Sequence, residues 1–222
     1  MANPDSSRPS PEDSPTLRSE QIAQTRSALV AAGRRLFGEN GFAGTSVEDL
    51  AKEARVTTGA LYHHFATKTQ LFEAVFEQAH AEMSAASPEP ADLVEQLEQA
   101  PDVVELLAAG FDAFLDAVLK PDLQRILVID GPAVLGLARF TELDERDAFV
   151  VIVGVLEAAV AAGRLSIDDP PTMARLLLGL AVRGATLIAS SAQPVETSKS
   201  VARSFRALLS GLATPTPSDG SA

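Results

Sequence analysis

Between residues 40 and 70 the chain is punctuated too closely for long helices or for a sheet. "NGFAG" at 40–44 stops a first helix, because Gly41 can take the left-handed cap conformation without steric cost. "TSVE" at 45–48 has Thr-x-x-Glu spacing, the pattern of a capping box in which Thr45 satisfies orphan amides and Glu48 reaches back. "ARVT" turns the chain, Thr57 can cap a third helix ending near Phe65, and "TKTQ" at 67–70 repeats the box to launch a fourth. Three helices and the start of a fourth thus fit into about sixty residues.

That preceding helix is expected from about Gln21 to Glu39, with Ile22, Leu29 and Leu36 seven apart and Ala32 on the same stripe. Leu61 and Phe65 are expected in the core. Apolar residues make up 46% of the 222-residue chain, yet it has a single Tyr and no Trp, which suits Ala/Leu/Val-rich helices better than strands. An all-α fold follows. The absence of Cys excludes disulfides, thiolate chemistry and Cys-based zinc sites. The first twenty residues lack the pattern of a signal peptide, and the run "AFVVIVGVL", bounded by Asp147 and Glu157, is too short to span a bilayer. A soluble, cytoplasmic protein with no membrane partner is expected.

Charge divides the chain. The net charge of -12 argues against non-specific nucleic-acid binding, but residues 18–72 hold seven Lys/Arg against five Asp/Glu. This leaves the N-terminal third at +2 and the rest at -14, and all three His fall at or before position 80.

The expected organisation is a disordered tail at 1–17, a helix-turn-helix unit at 18–66 and a connecting helix at 67–86. A regulatory and dimerisation domain at 87–213 and a second disordered tail at 214–222 complete it. "SPEPAD" near 87–92 marks the boundary, and Pro101 opens the next helix. "PDLQRILVIDGPAVLGLARF" reads as helix, a break at Asp130-Gly131-Pro132, and helix again. Further helices are expected from about Leu143 to Ala162, at 171–190 and at 195–210. The last two are short on charge and apolar on more than one face, which points to a second subunit as the partner for the extra face.

Two short helices joined by a tight turn, the second opening on Thr-Thr-Gly-Ala, have the outline of a helix-turn-helix reader. Residues 25–75 carry "LFGENGFAGTSVEDLAKEARVTTGALYHHFATK", with Gly41-Phe42, Thr45, "GALYHHF" and Lys68 in place. This stretch closely resembles the DNA-binding domain of the tetracycline-repressor (TetR) family of bacterial transcriptional regulators. "LVIDGPAVLG" at 127–136 looks like a recurring element of one subgroup of its regulatory domains.

The resemblance implies a homodimer on double-stranded DNA, with no cofactor and no metal, that responds to an unidentified small-molecule effector. It places Thr57, Thr58 and Gly59 at the start of the recognition helix, near the groove, where Thr58 can meet base edges or a thymine methyl. It implies backbone contact for Tyr62 and phosphate or base contact for His63. Thr45 and Lys68, each at a helix start, can pair with phosphate. Each has a plainer reading: Thr57 as a cap, Gly59 as a tolerated break, Lys68 as a solvated surface lysine. Arg34 and Arg35 are expected in salt bridges rather than on DNA.

In the regulatory half Phe111, Phe114 and Phe149 are candidates to line an apolar ligand pocket, with Asp130, Arg139 and Arg183 as its polar groups, although an apolar helical face is more often core. A repressor is the leading function. The alternatives are an activator, or an adaptor whose helix-turn-helix binds protein. A hydrolase using Asp130 and a His is disfavoured, because the His are confined to the N-terminal segment, there is no Cys, and Ser190-Ser191 lack a nucleophile-elbow setting.

Overall fold

The protein's structure, a computed structural model, describes residues 17–84 and 102–213. Four helices form the N-terminal part: α1 (Leu17–Asn40), α2 (Val47–Glu53), α3 (Thr58–His64) and α4 (Lys68–Ser84). The second part holds α5 (Val103–Val118), α6 (Pro121–Leu123), a π-helical segment π1 (Gln124–Asp130), α7 (Gly131–Leu135), α8 (Leu137–Ala161), α9 (Pro170–Ala189) and α10 (Pro194–Ser210). Among the described residues the fold is all-α, apart from one antiparallel bridge between Leu165 and Ala213. The expected tails, save Leu17, and the boundary near 87–92 lie outside the described residues.

Local chemistry sets the boundaries. Gly41 ends α1 with φ 75°, as its sequence position requires, and Thr57 caps α3 by accepting from the Ala60 amide at 3.1 Å. The box expected at Thr45 and Glu48 forms one residue later. Ser46 Oγ accepts from the Asp49 amide at 3.1 Å, and the Asp49 carboxylate accepts from the Ser46 amide. Thr45 is diverted inward: only 2% exposed, its hydroxyl is shared between the carbonyls of Gly41 (2.8 Å) and Leu36 (3.1 Å) at the C-terminal end of α1. At the fourth helix Thr67 Oγ1 accepts from the Gln70 amide as expected, while Gln70 reaches back to the Ala66 amide rather than to that of Thr67.

The break expected at Asp130-Gly131-Pro132 is absent. The backbone stays helical through Asp130 and Gly131, the wider π turn ends there, and Pro132 sits in the first turn of α7, where its missing amide hydrogen costs nothing. The chain turns instead at Gly136, φ 76°, and α8 therefore begins at Leu137 rather than near Leu143.

Packing does not respect the expected domain boundary. The first core gathers Leu29, Phe37, Leu50, Leu61, Phe65, Phe72 and Phe76 from α1 to α4, and extends into Leu123, Ile126, Leu127, Phe140 and Leu143 of the second part. Phe72 meets both Phe37 and Phe42 edge-on with centroids 5.3 Å apart, an arrangement that contributes about 0.5–1.5 kcal/mol beyond area burial. The second core joins α5, α8, α9 and α10, with Phe111 stacked on Phe205 at 3.7 Å. Val128 of π1 packs against both cores.

Helix α9 is long and apolar enough to cross a membrane by length and composition, a property the sequence reading did not assign to it. Its packing accounts for part of that apolarity: Ala174, Leu177, Leu178, Ala185 and Ile188 are buried in the bundle. Leu176, Leu180 and Leu187 form a separate stripe that is 58%, 41% and 43% exposed.

Acid–base pairs clasp α4 to α8. Arg139 Nε donates to Glu73 at 2.8 Å, Arg146 approaches Glu77 at 3.4 Å, and Nε2 of the buried His80 lies 3.8 Å from Asp144. Burial, and secondarily the neighbouring Glu145, pushes the Asp144 carboxyl up to about 6 from its ordinary 3.8. A carboxyl whose folded value exceeds its unfolded one binds its proton more tightly in the fold. Its contribution is therefore most favourable below pH 4 and is lost as pH rises through 6. Asp144→Asn is expected to stabilise the protein at pH 8 by about 1–3 kcal/mol, with the gain vanishing near pH 4. Denaturant melts across that pH range check this, and a difference independent of pH would contradict it.

Candidate nucleic-acid interface

Helix α3 has two unlike sides. Leu61 is fully buried and Phe65, its C-cap, is 3% exposed, so both anchor the helix to the first core, as their spacing predicted. Away from that contact Thr58, Gly59, Tyr62 and His63 are exposed, with Tyr62 at 52%. A tyrosine half in solvent while a neighbour one position away is sealed is the arrangement of a helix that packs with one stripe and presents the other. Thr57 is exposed as well, but its hydroxyl serves as the cap. His64 is half-buried and meets His63 edge-on at 5.6 Å.

The turn between α2 and α3 is tight because Arg55 adopts φ 57°, a left-handed conformation unusual for a residue with a side chain. Helix α2 buries Leu50 and Ala51 and so supports α3 from behind.

Two residues expected at phosphate are committed elsewhere. Thr45 is sealed in the core, which removes its hydroxyl from any ligand's reach. Lys68 is half-buried: its Nζ donates to the carbonyls of Phe42 at 2.9 Å and Thr45 at 3.0 Å and lies 4.1 Å from the centre of the Phe42 ring. Its cation closes the turn that precedes α2. Sequence reasoning recognised Lys68 as a fixed feature but not its partners, since nothing in linear spacing shows that two carbonyls more than twenty positions upstream converge on it. Ser46, exposed at the cap of α2, is the neighbouring polar group that the sequence reading passed over.

Arg34 and Arg35 form the ion pairs expected of them, Arg34 with Asp122 at 2.9 Å and with Glu82 at 3.4 Å, and Arg35 with Glu39 and Glu53. Arg26 lies over the Phe65 ring at 4.9 Å.

The six residues expected to bind a ligand do not converge. Phe111 is buried against Phe205, and Phe114 stacks beside it at 6.1 Å. Phe149 lies under the Arg175 guanidinium, 4.3 Å away. Asp130 accepts a hydrogen bond from the Phe42 amide at 2.7 Å, and Arg139 is shared between Glu73 and Glu142. Arg183 is exposed within the leucine stripe of α9. Asp130 and Arg139 thus join the two halves of the molecule instead of facing a common cavity.

Known proteins share this architecture. Residues 29–75 match the family described as bacterial regulatory proteins, tetR family, and residues 104–212 match the tetracyclin repressor-like C-terminal domain. The HTH-type transcriptional regulator CymR of Pseudomonas putida is 32% identical over 173 residues, which cover 75% of this chain and 82% of CymR. A TetR-family transcriptional regulator from Pectobacterium atrosepticum superposes with a TM-score of 0.73 at 31% identity, covering 88% of this chain and 97% of that one. RolR, crystallised with resorcinol, has the same fold at 20% identity, with a TM-score of 0.64 over 90% of this chain and 98% of its own. These matches settle the identity of both halves: the chain belongs to the TetR family and is a DNA-binding transcriptional regulator.

Proposed function

We propose that the chain acts as a homodimeric, ligand-responsive repressor that places α3 of each subunit in successive major grooves of a near-palindromic operator. The observation that carries this reading is the exposed side of α3, where Thr58, Gly59, Tyr62 and His63 stand free of the core that holds Leu61. Thr58 meets base edges, while Tyr62 and His63 rest on the sugar-phosphate backbone and set register. Thr57 and Gly59 bring the start of the helix close to the groove. Thr45 and Lys68 contribute from behind, by fixing the turn that carries α2.

The exposed stripe of Leu176, Leu180 and Leu187 on α9, with α10 beside it, supports dimerisation through these two helices, as isologous two-fold contacts require a self-complementary apolar face. Two-fold symmetry then sets the half-sites about 34 Å apart, one helical turn. A small molecule binding the second part shifts the population toward an arrangement with wrongly spaced reading helices. That RolR, which shares the fold, was crystallised with the ligand resorcinol supports a small-molecule effector. The seven basic residues against five acidic ones within residues 18–72 favour the duplex, and the acidic second part faces away from it.

Competition binding over single-base-pair variants of a bound duplex tests the assignment. Tyr62→Ala is expected to weaken every variant by a similar factor, about 5- to 20-fold, with an unchanged preference order. Thr58→Val is expected to change the preference at one symmetric pair of positions. A Tyr62→Ala protein with an altered consensus would reverse the two roles.

A further inference from the structure

Phe42 belongs to the turn between α1 and α2, and both of its peptide groups are held. Its carbonyl accepts from Lys68 Nζ at 2.9 Å, from the side of α4. Its amide donates to Asp130 Oδ2 at 2.7 Å, from the far end of π1 and 88 positions along the chain. The carboxylate is 18% exposed, and Arg125, one turn back on π1, places its Nε 3.6 Å from the same oxygen. The fit around this contact is close. A Cβ on Gly41 would lie 2.6 Å from the Arg125 guanidinium, and one on Gly131, the residue after Asp130, would lie 2.7 Å from the Phe76 ring of α4. Four residues after Phe42 stands Ser46, the cap of α2, and α2 in turn carries α3.

We propose that Asp130 is a positioning residue for DNA recognition: its bond to the Phe42 amide fixes the helix-turn-helix unit to the second part of the chain and so sets the separation of the two reading helices in the dimer. The inference rests on the DNA-binding dimer proposed above. A hydrogen bond to a carboxylate is stronger than one between neutral groups and is directional, so it resists rotation of the turn as well as its departure. Lys68 ties the turn to α4, whereas Asp130 ties it directly to π1, which packs on α5 and α9 of the regulatory half. The π turn contributes by its register, since seven residues of wider helix deliver Asp130 toward α1 and α2 while keeping Val128 between the two cores.

A dimer whose heads are fixed in this way should punish an operator of the wrong spacing, and one whose heads are loosened should not. Full-length wild type, Asp130→Ala and Asp130→Asn are titrated against a selected palindrome and against versions with one base pair inserted or removed at its centre. Asp130→Ala is expected to bind the native spacing about tenfold more weakly, the scale of one charge-assisted hydrogen bond. Its penalty for altered spacing is expected to shrink by a similar factor, with an unchanged salt slope because no phosphate contact is lost. Asp130→Asn, whose side-chain oxygen can accept the same bond, is expected to restore most of the discrimination. Should Asp130→Ala resist purification, Asp130→Ser, too short to reach the amide, is read by the same ratio. An unchanged spacing penalty in the Ala or Ser variant overturns the proposal, even if its melting temperature falls. Failure of wild type to bind any duplex would instead sink the operator reading on which the proposal rests.

Discussion

Leu180→Arg on α9 is expected to turn the proposed dimer into a monomer at micromolar concentration and to abolish measurable operator binding. Leu176, Leu180 and Leu187 recur at helical spacing on the side of α9 away from the second core, and Arg183 stands within the same stripe. Covering the exposed portion of each leucine contributes about 1 kcal/mol, and two-fold symmetry counts every contact twice. The substitution removes two of these leucines per dimer. It also sets a second guanidinium one turn from Arg183 on each subunit, where its charge meets an apolar surface and its own symmetry mate. A loss of several kcal/mol raises the dimer dissociation constant by at least about a thousandfold. A monomer then loses the effective concentration that lets its second reading helix engage. Sedimentation equilibrium measures the first effect and anisotropy titration the second. A stable dimer in this variant would move the interface off α9.

Lys68→Met is expected to lower stability by about 2–4 kcal/mol and to leave the salt dependence of DNA binding unchanged. The ammonium donates to two carbonyls and covers the Phe42 ring, and methionine fills the volume without satisfying either acceptor. The carbonyls of Phe42 and Thr45 are then left without the donor that closes the turn. A lysine bound to phosphate behaves oppositely: its loss leaves the melting temperature alone and reduces the logarithmic salt slope by about one. Thermal melts and a titration at four salt concentrations separate the two cases.

The contrast between Lys68 and Tyr62 shows which information the sequence carries. Both stand out in the same short stretch, and the alternation of Leu61 and Phe65 with polar neighbours was enough to place Leu61 inward and Tyr62 outward, because helical period alone decides it. The helix stop at Gly41 was legible for a similar reason, since positive φ is a local demand. Where a group's fate depends on a distant acceptor, local reasoning failed. Thr45 has the pattern of a cap, yet carbonyls at the end of α1 recruit its hydroxyl and pass the cap to Ser46. Asp130-Gly131-Pro132 has the composition of a break, but a π turn carries the helix across it, and tertiary packing on α4 supplies the reason for Gly131. Residue type alone suits Asp130 and Arg139 to a polar pocket, but their partners Phe42 and Glu73 make them ties between the two halves.

The measurement that tests the central claim most directly is selection of bound sequences from a random double-stranded DNA library with purified wild-type protein. The account predicts enrichment of a near-palindrome whose half-site centres lie about one helical turn apart, bound by a dimer. No enrichment at low salt, or enrichment of a single asymmetric half-site by a monomer, would contradict it.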